Sequence, residues 1–137
     1  YRKMAFIGRW FGFRPLAGRL MRIMFGQSFL KDPKKAGRRE HWRRHFLRLN
    51  RAGTARAAHG VIDREGVYDQ LNGIRTPVLI IVGDEDVATI PAKSQRMHAA
   101  MDASRLVIVP RAGHSSSVEQ PGAINSALEQ FLASIPP

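Results

Sequence analysis

The stretch PVLIIVGDEDVATIP, residues 77–91, decides how this chain is read. Its first half is a continuous apolar run between Pro77 and Gly83, short and rich in β-branched residues, which reads as a strand covered on both faces. Three carboxylates follow at once, Asp84, Glu85 and Asp86. Downstream, SRLVIVPRAGHSSSVEQP (104–121) repeats the pattern, with a strand closed by Pro110 and a histidine, His114, just beyond it. Between the two, PAKSQRMHAAMD (91–102) suits a helix with Pro91 near its first position. QPGAINSALEQFLASI (120–135) is the clearest helix of all, with Ile124, Leu128, Phe131, Leu132 and Ile135 on one stripe. Strand, helix, strand, helix predicts parallel strands joined by a right-handed crossover. Two strands rarely make an independent sheet. The run VLIIV has the character of an interior strand and calls for a neighbour that these residues do not supply.

The part before residue 67 is different in kind. Residues 1–60 hold sixteen Lys and Arg against Asp32 and Glu40, a balance of +14, whereas residues 61–137 carry −3, giving +11 for the 137 residues. This basic half reads as helices. Phe6 and Trp10 stand four apart. Pro15 suits a helix start, with Leu16, Leu20, Ile23 and Met24 on one face. Asp32 is a candidate N-cap before Pro33, and Trp42, Phe46 and Leu49 form an apolar stripe. The stretch AGTARAAHGVIDREG (52–66) suggests a further helix ending at Gly66. Two domains follow from this change of character, a helical region at 1–66 and an α/β portion at 67–137.

Composition narrows the classes. Hydrophobic content of 44% fits a globular protein rather than a disordered one. With no cysteine there are no disulfides and no thiolate metal sites, which suits a reducing, cytoplasmic setting. No apolar run reaches bilayer-spanning length. The chain opens on Tyr1 rather than methionine, the mark expected of a processed or truncated product.

In open α/β sheets ligands sit beyond the carboxyl ends of the strands. Asp86 and His114 each follow a strand end, so parallel pairing would bring them together across 28 residues of sequence. A carboxylate beside an imidazole fixes its tautomer and stabilises the imidazolium formed in proton transfer. This is the orienting acid and general base of a nucleophilic hydrolase. Asp84 and Glu85 read as solvated loop acids. Ser115, Ser116 and Ser117 lie too close to His114 on one loop for attack, and read as caps of the last helix with Glu119 near its first turn. His41 and His45 stand at a zinc-binding spacing, but Arg38, Arg39, Arg43 and Arg44 surround them and no third ligand is in view, so they read as a solvated helix face. Neither metal nor organic cofactor is called for.

These residues carry a resemblance. Through LNGIRTPVLIIVGDEDVATIP, RLVIVPRAGHSSSVEQP and the final helix, roughly residues 67–135, the chain resembles the C-terminal part of the α/β-hydrolase superfamily. The resemblance implies that Gly83 and Asp86 match the strand end bearing the triad acid, and that Gly113 and His114 match the Gly-His of the base. It implies a fold class too: the C-terminal portion of an α/β-hydrolase fold, two parallel strands with flanking helices, preceded by a helical cap at 1–66. The cap and the GDEDVAT loop are most similar to the 3-oxoadipate enol-lactonase-like group, which implies a serine-type enzyme acting on an ester, lactone or similar acyl bond.

One part of the family pattern is missing. No Gly-x-Ser-x-Gly pentapeptide occurs in the 137 residues; GQSFL at Gly26 and GHSSS at Gly113 lack the second glycine. The expectation is therefore an acid and a base whose nucleophile lies elsewhere, and a chain inactive alone. An unpaired sheet edge would favour self-association. The other reading is a non-catalytic module that uses the basic half on nucleic acid or anionic membrane.

Overall fold

The computed structural model describes residues 2–135, and of residues 3–5 and 11 the backbone only. The elements run α1 (Arg2–Phe11), a 3-10 turn (Arg14–Leu16), α2 (Ala17–Met24), α3 (Gln27–Lys31), a 3-10 turn (Pro33–Lys35), α4 (Ala36–Leu47), α5 (Arg51–Ile62) and a 3-10 segment (Tyr68–Gly73). Then follow β1 (Val78–Gly83), α6 (Pro91–Ala99), β2 (Ser104–Val109), α7 (Ser116–Glu119) and α8 (Pro121–Ala133). The chain divides into two compact units: residues up to Arg22 with Asp32–Gly66, and Ile23–Lys31 with the chain from Val67 onward. This differs from a simple division at 66/67, because Ile23–Lys31 folds with the later residues.

In the first unit α1 packs on α5. Gly12, at φ +80°, lets the chain turn after α1, a backbone region that glycine enters without cost. Pro15 lies in the 3-10 turn, and the α-helix begins only at Ala17. Of the expected face Leu16, Leu20, Ile23 and Met24, Leu16 is buried and the other three are half-buried, while Ala17 and Met21 are the buried residues of the helix itself. Asp32 does cap, but it caps the 3-10 turn, accepting from the Lys34 N–H at 2.9 Å. Helix α5 starts at Arg51 under Asn50, whose side chain accepts from Gly53 N–H at 2.7 Å, and ends at Ile62, short of Gly66. Asn is among the residue types preferred at a helix N-cap, because its side-chain oxygen can accept such an N–H.

The second unit is built on one strand pair. β1 and β2 are parallel, with Val78 opposite Ser104 and Gly83 opposite Val109. Alternation sends successive side chains to opposite faces. On one face Ile80, Val78 and Leu106 pack with Leu71, Ile74 and Met101. On the other, Ile81, Val107 and Val109 pack with Ala112 and Ile124. Helices α6 and α8 each contact both strands. The double-sided covering explains why 78–82 is apolar throughout rather than alternating. In α8 the apolar stripe is only partly used. Ile124 is buried, whereas Leu128 and Leu132 are 42% and 65% exposed.

Segment 23–31 joins this unit through the Ser115 N–H, which donates to the Met24 carbonyl at 2.8 Å, and within the segment the buried Phe25 and Phe29 rings stack at 4.7 Å. The loops after the two strands also touch. A Cβ on Gly83 would lie 2.1 Å from the Ala112 carbonyl oxygen. That neighbour is backbone and cannot swing aside. Gly83→Ala should therefore destabilise the protein by about 1–3 kcal/mol, the usual cost of overpacking. Urea unfolding reads this as a lower midpoint, and an unchanged midpoint would show that the loops separate freely.

Candidate active site

Asp86 is 5% exposed at the head of the loop that follows β1. The chain folds back over its carboxylate. Ala88 and Thr89 donate their backbone N–H groups to Oδ1 at 2.8 and 2.9 Å, and the Thr89 hydroxyl donates to Oδ2 at 2.8 Å. Aspartate commonly closes such a turn on the N–H two residues ahead. The second oxygen has a second partner. His114 Nδ1 lies 2.9 Å from Oδ2 and 3.2 Å from the Thr89 hydroxyl. With Nδ1–H donating to the carboxylate, the imidazole presents Nε2 as its free nitrogen. Burial by itself would raise the Asp86 pKa. The Thr89 N–H, the His114 ring, the Thr89 hydroxyl and the Ala88 N–H together outweigh it and hold the carboxyl below its ordinary value.

His114 reaches this position because β2 ends level with β1 and the chain then turns sharply. Arg111 takes φ +58°, a left-handed conformation that costs a non-glycine residue about 1–2 kcal/mol. Its carbonyl accepts from Gln120 Nε2 at 3.2 Å. Ala112 and Gly113 are buried behind the histidine, while the His114 side chain is 37% exposed.

The structure gives the neighbouring acids work that the sequence concealed. Glu85 is not a solvated loop acid. It is half-buried and accepts both the Ser28 N–H, at 2.7 Å, and the Ser28 hydroxyl, at the start of α3. Asp84 is exposed, and accepts from the Ala112 N–H at 3.3 Å. Glu119 is only 2% exposed and bridges Gly113 N–H and Gly26 N–H, each at 2.9 Å. Ser115–Ser117 do not cap the last helix. Ser116–Glu119 form the short α7, and neither Ser115 nor Gln120 makes a side-chain cap bond. Gln120, at φ −133°, leaves the helical region just before Pro121, as the residue before proline tends to. His41 and His45 are exposed on α4, edge-on to Trp42 at 5.7 and 5.5 Å. Among the described residues no group of three or more His, Cys, Asp and Glu is arranged to hold a metal ion.

The profile of the alpha/beta hydrolase family matches residues 1–127. The chain belongs to the alpha/beta hydrolase family. A Bacillus subtilis (strain 168) protein named as a candidate 2-succinyl-6-hydroxy-2,4-cyclohexadiene-1-carboxylate synthase is 35% identical over 91 residues, 65% of this chain and 33% of its own length. Among solved structures, a thermophilic esterase from Thermogutta terrifontis superposes with a TM-score of 0.85 at 26% identity, covering 96% of this chain and 48% of its own. The enol-lactonase from Burkholderia xenovorans LB400 gives the same TM-score at 24% identity, covering 96% of this chain and 49% of its own, and speaks to the fold alone. This alpha/beta hydrolase chain thus spans about half the length of those solved structures and a third of that curated relative.

The Asp86 environment sets a pH dependence. A folded-state pKa below the unfolded one contributes stability that is complete above the ordinary carboxyl range. It is lost as pH falls from about 3.8 through the lower folded value. Chemical denaturation across that acid range should show a steeper loss of stability for the wild-type protein than for Asp86→Asn. Identical acid limbs would mean that the carboxylate gains nothing from its four donors.

Proposed function

We propose that this chain carries the acid and the base of a serine-type hydrolase acting on an ester, lactone or similar acyl bond. The observation that supports this reading is the 2.9 Å contact between His114 Nδ1 and Asp86 Oδ2, made from the ends of adjacent parallel strands. In the proposed reaction a serine outside these 137 residues attacks the acyl carbon. His114 Nε2 takes the serine proton and returns it to the departing alcohol. Asp86 keeps the ring in the right tautomer and stabilises the imidazolium. Water, deprotonated by the same nitrogen, then releases the acyl group and restores the serine. Residues 1–66 take the role of the helical cap, and a small acyl compound is the substrate. The esterase likeness and the family membership support the reaction class.

A second reading treats the first unit as a binding module for nucleic acid or anionic membrane. Phe6 and Trp10, 60% and 62% exposed, favour it, together with the arginines Arg2, Arg9 and Arg56 around a neighbouring cleft. It predicts binding that weakens steeply with added salt. Each strand of the pair has one edge unpaired among the described residues, so we also propose that the isolated chain self-associates. Light scattering should then give a mass above the 15.4 kDa of one chain.

The catalytic reading is tested with a p-nitrophenyl ester. The 137-residue chain should turn it over no faster than buffer. A longer chain that includes a Gly-x-Ser-x-Gly elbow should hydrolyse it, and His114→Ala in that chain should lower kcat by a factor on the order of a thousand or more. Turnover by the 137 residues alone, abolished by His114→Ala, would refute the proposed division of labour.

A further inference from the structure

The most buried carboxylate outside the Asp86–His114 pair is Glu119, and its partners are unusual for a side chain in a one-turn helix. Both oxygens are taken up by backbone. Oε1 accepts from Gly113, the residue before His114, and Oε2 accepts from Gly26, 93 residues away in sequence. The two glycines themselves meet, since a Cβ on Gly113 would lie 2.2 Å from the Gly26 nitrogen. A hydrogen bond from Ser115 N–H to the Met24 carbonyl closes the other side of His114 onto the same segment, and Glu85 fastens that segment at Ser28. The backbone on either side of His114 is thereby tied to residues 24–28.

From this geometry we infer that Glu119 is a positioning residue, whose carboxylate holds the Gly113–His114 backbone against Gly26 so that the imidazole meets Asp86. The physical reason is that a loop carrying a general base has to be fixed to a fraction of an ångström, and backbone N–H groups bonded to a buried charge are among the stronger ties available. Glutamine cannot replace it, because one of its two terminal atoms is a donor and would face an N–H. Aspartate is one methylene too short to span both glycines. The inference rests on the proposed roles of Asp86 and His114, but its test reads their contact without needing turnover.

The carboxyl carbon of Asp86, followed by NMR through a pH titration, reports whether His114 is still in place, because the ring is one of the partners that depress its pKa. Four proteins are compared: wild type, Glu119→Gln, His114→Ala and the double variant. Glu119→Gln should move the Asp86 titration upward, in the same direction as His114→Ala, and the double variant should move no further than His114→Ala alone. An unmoved Asp86 in folded Glu119→Gln would overturn the inference, as would shifts that simply add. If Glu119→Gln does not fold, amide exchange in the wild-type protein decides. Gly113 and Gly26 should exchange as slowly as those β1 and β2 amides that are hydrogen-bonded across the pair, and rapid exchange at Gly113 would overturn the inference. In a chain competent for ester hydrolysis, Glu119→Gln should lower kcat roughly a hundredfold with KM little changed. A moved Asp86 titration without any hydrolysis would leave Glu119 as the positioning residue and count against the hydrolase reading instead.

Discussion

Everything at the candidate site depends on the parallel pairing of β1 and β2 in a single register. With Gly83 opposite Val109, both strands end at the same level, and the loops that follow have no choice but to share an edge. A slip of one residue would turn every strand side chain to the opposite face, exchanging the Ile80 and Ile81 sides of the core. The apolar packing on both faces therefore sets the register, and the register sets the distance between Asp86 and His114. The geometry of the candidate site is inherited from burial.

Around that edge the chain uses carboxylates as fasteners. Asp84 holds Ala112, Glu85 holds Ser28, Glu119 holds Gly113 and Gly26, and Asp86 holds its own loop and the imidazole. Three of these bond to backbone N–H groups of loops, which have no ladder to satisfy them and would otherwise be left without partners as they are buried. Glycines at 83 and 113 let the loop backbones approach closely enough for such short links. The run of acids after β1 thus serves three different neighbours, and one acid faces the histidine.

The sequence made Asp86 and His114 legible because their signal is local: a residue type, one short step after a strand whose apolar run is unmistakable. The parallel pair, its covering helices and the family pattern followed from the same signal. What it concealed has a common cause. Glu85 and Glu119 reach Ser28 and Gly26, 57 and 93 residues distant, and accept from their backbone N–H groups, which every residue but proline has and which leave no mark in the sequence. Thr89 hid for a smaller reason, since a threonine three residues after an aspartate is common in turns. The serines after His114 misled because they precede a helix. The break at Gln120 separates them from it. The apolar stripe of α8 was correctly seen, yet most of it lies exposed, because periodicity reports a face and not what covers it.

In this arrangement His114 donates Nδ1–H to an ionised, buried Asp86, a bond that proton NMR of the imidazole can detect. A ring N–H locked onto a carboxylate and screened from water gives a far-downfield signal that exchanges slowly. Such a resonance is expected in the wild-type protein, and it should disappear in Asp86→Asn and in His114→Ala. A wild-type spectrum with no such signal, or one that survives in Asp86→Asn, would contradict the pairing on which the catalytic reading stands.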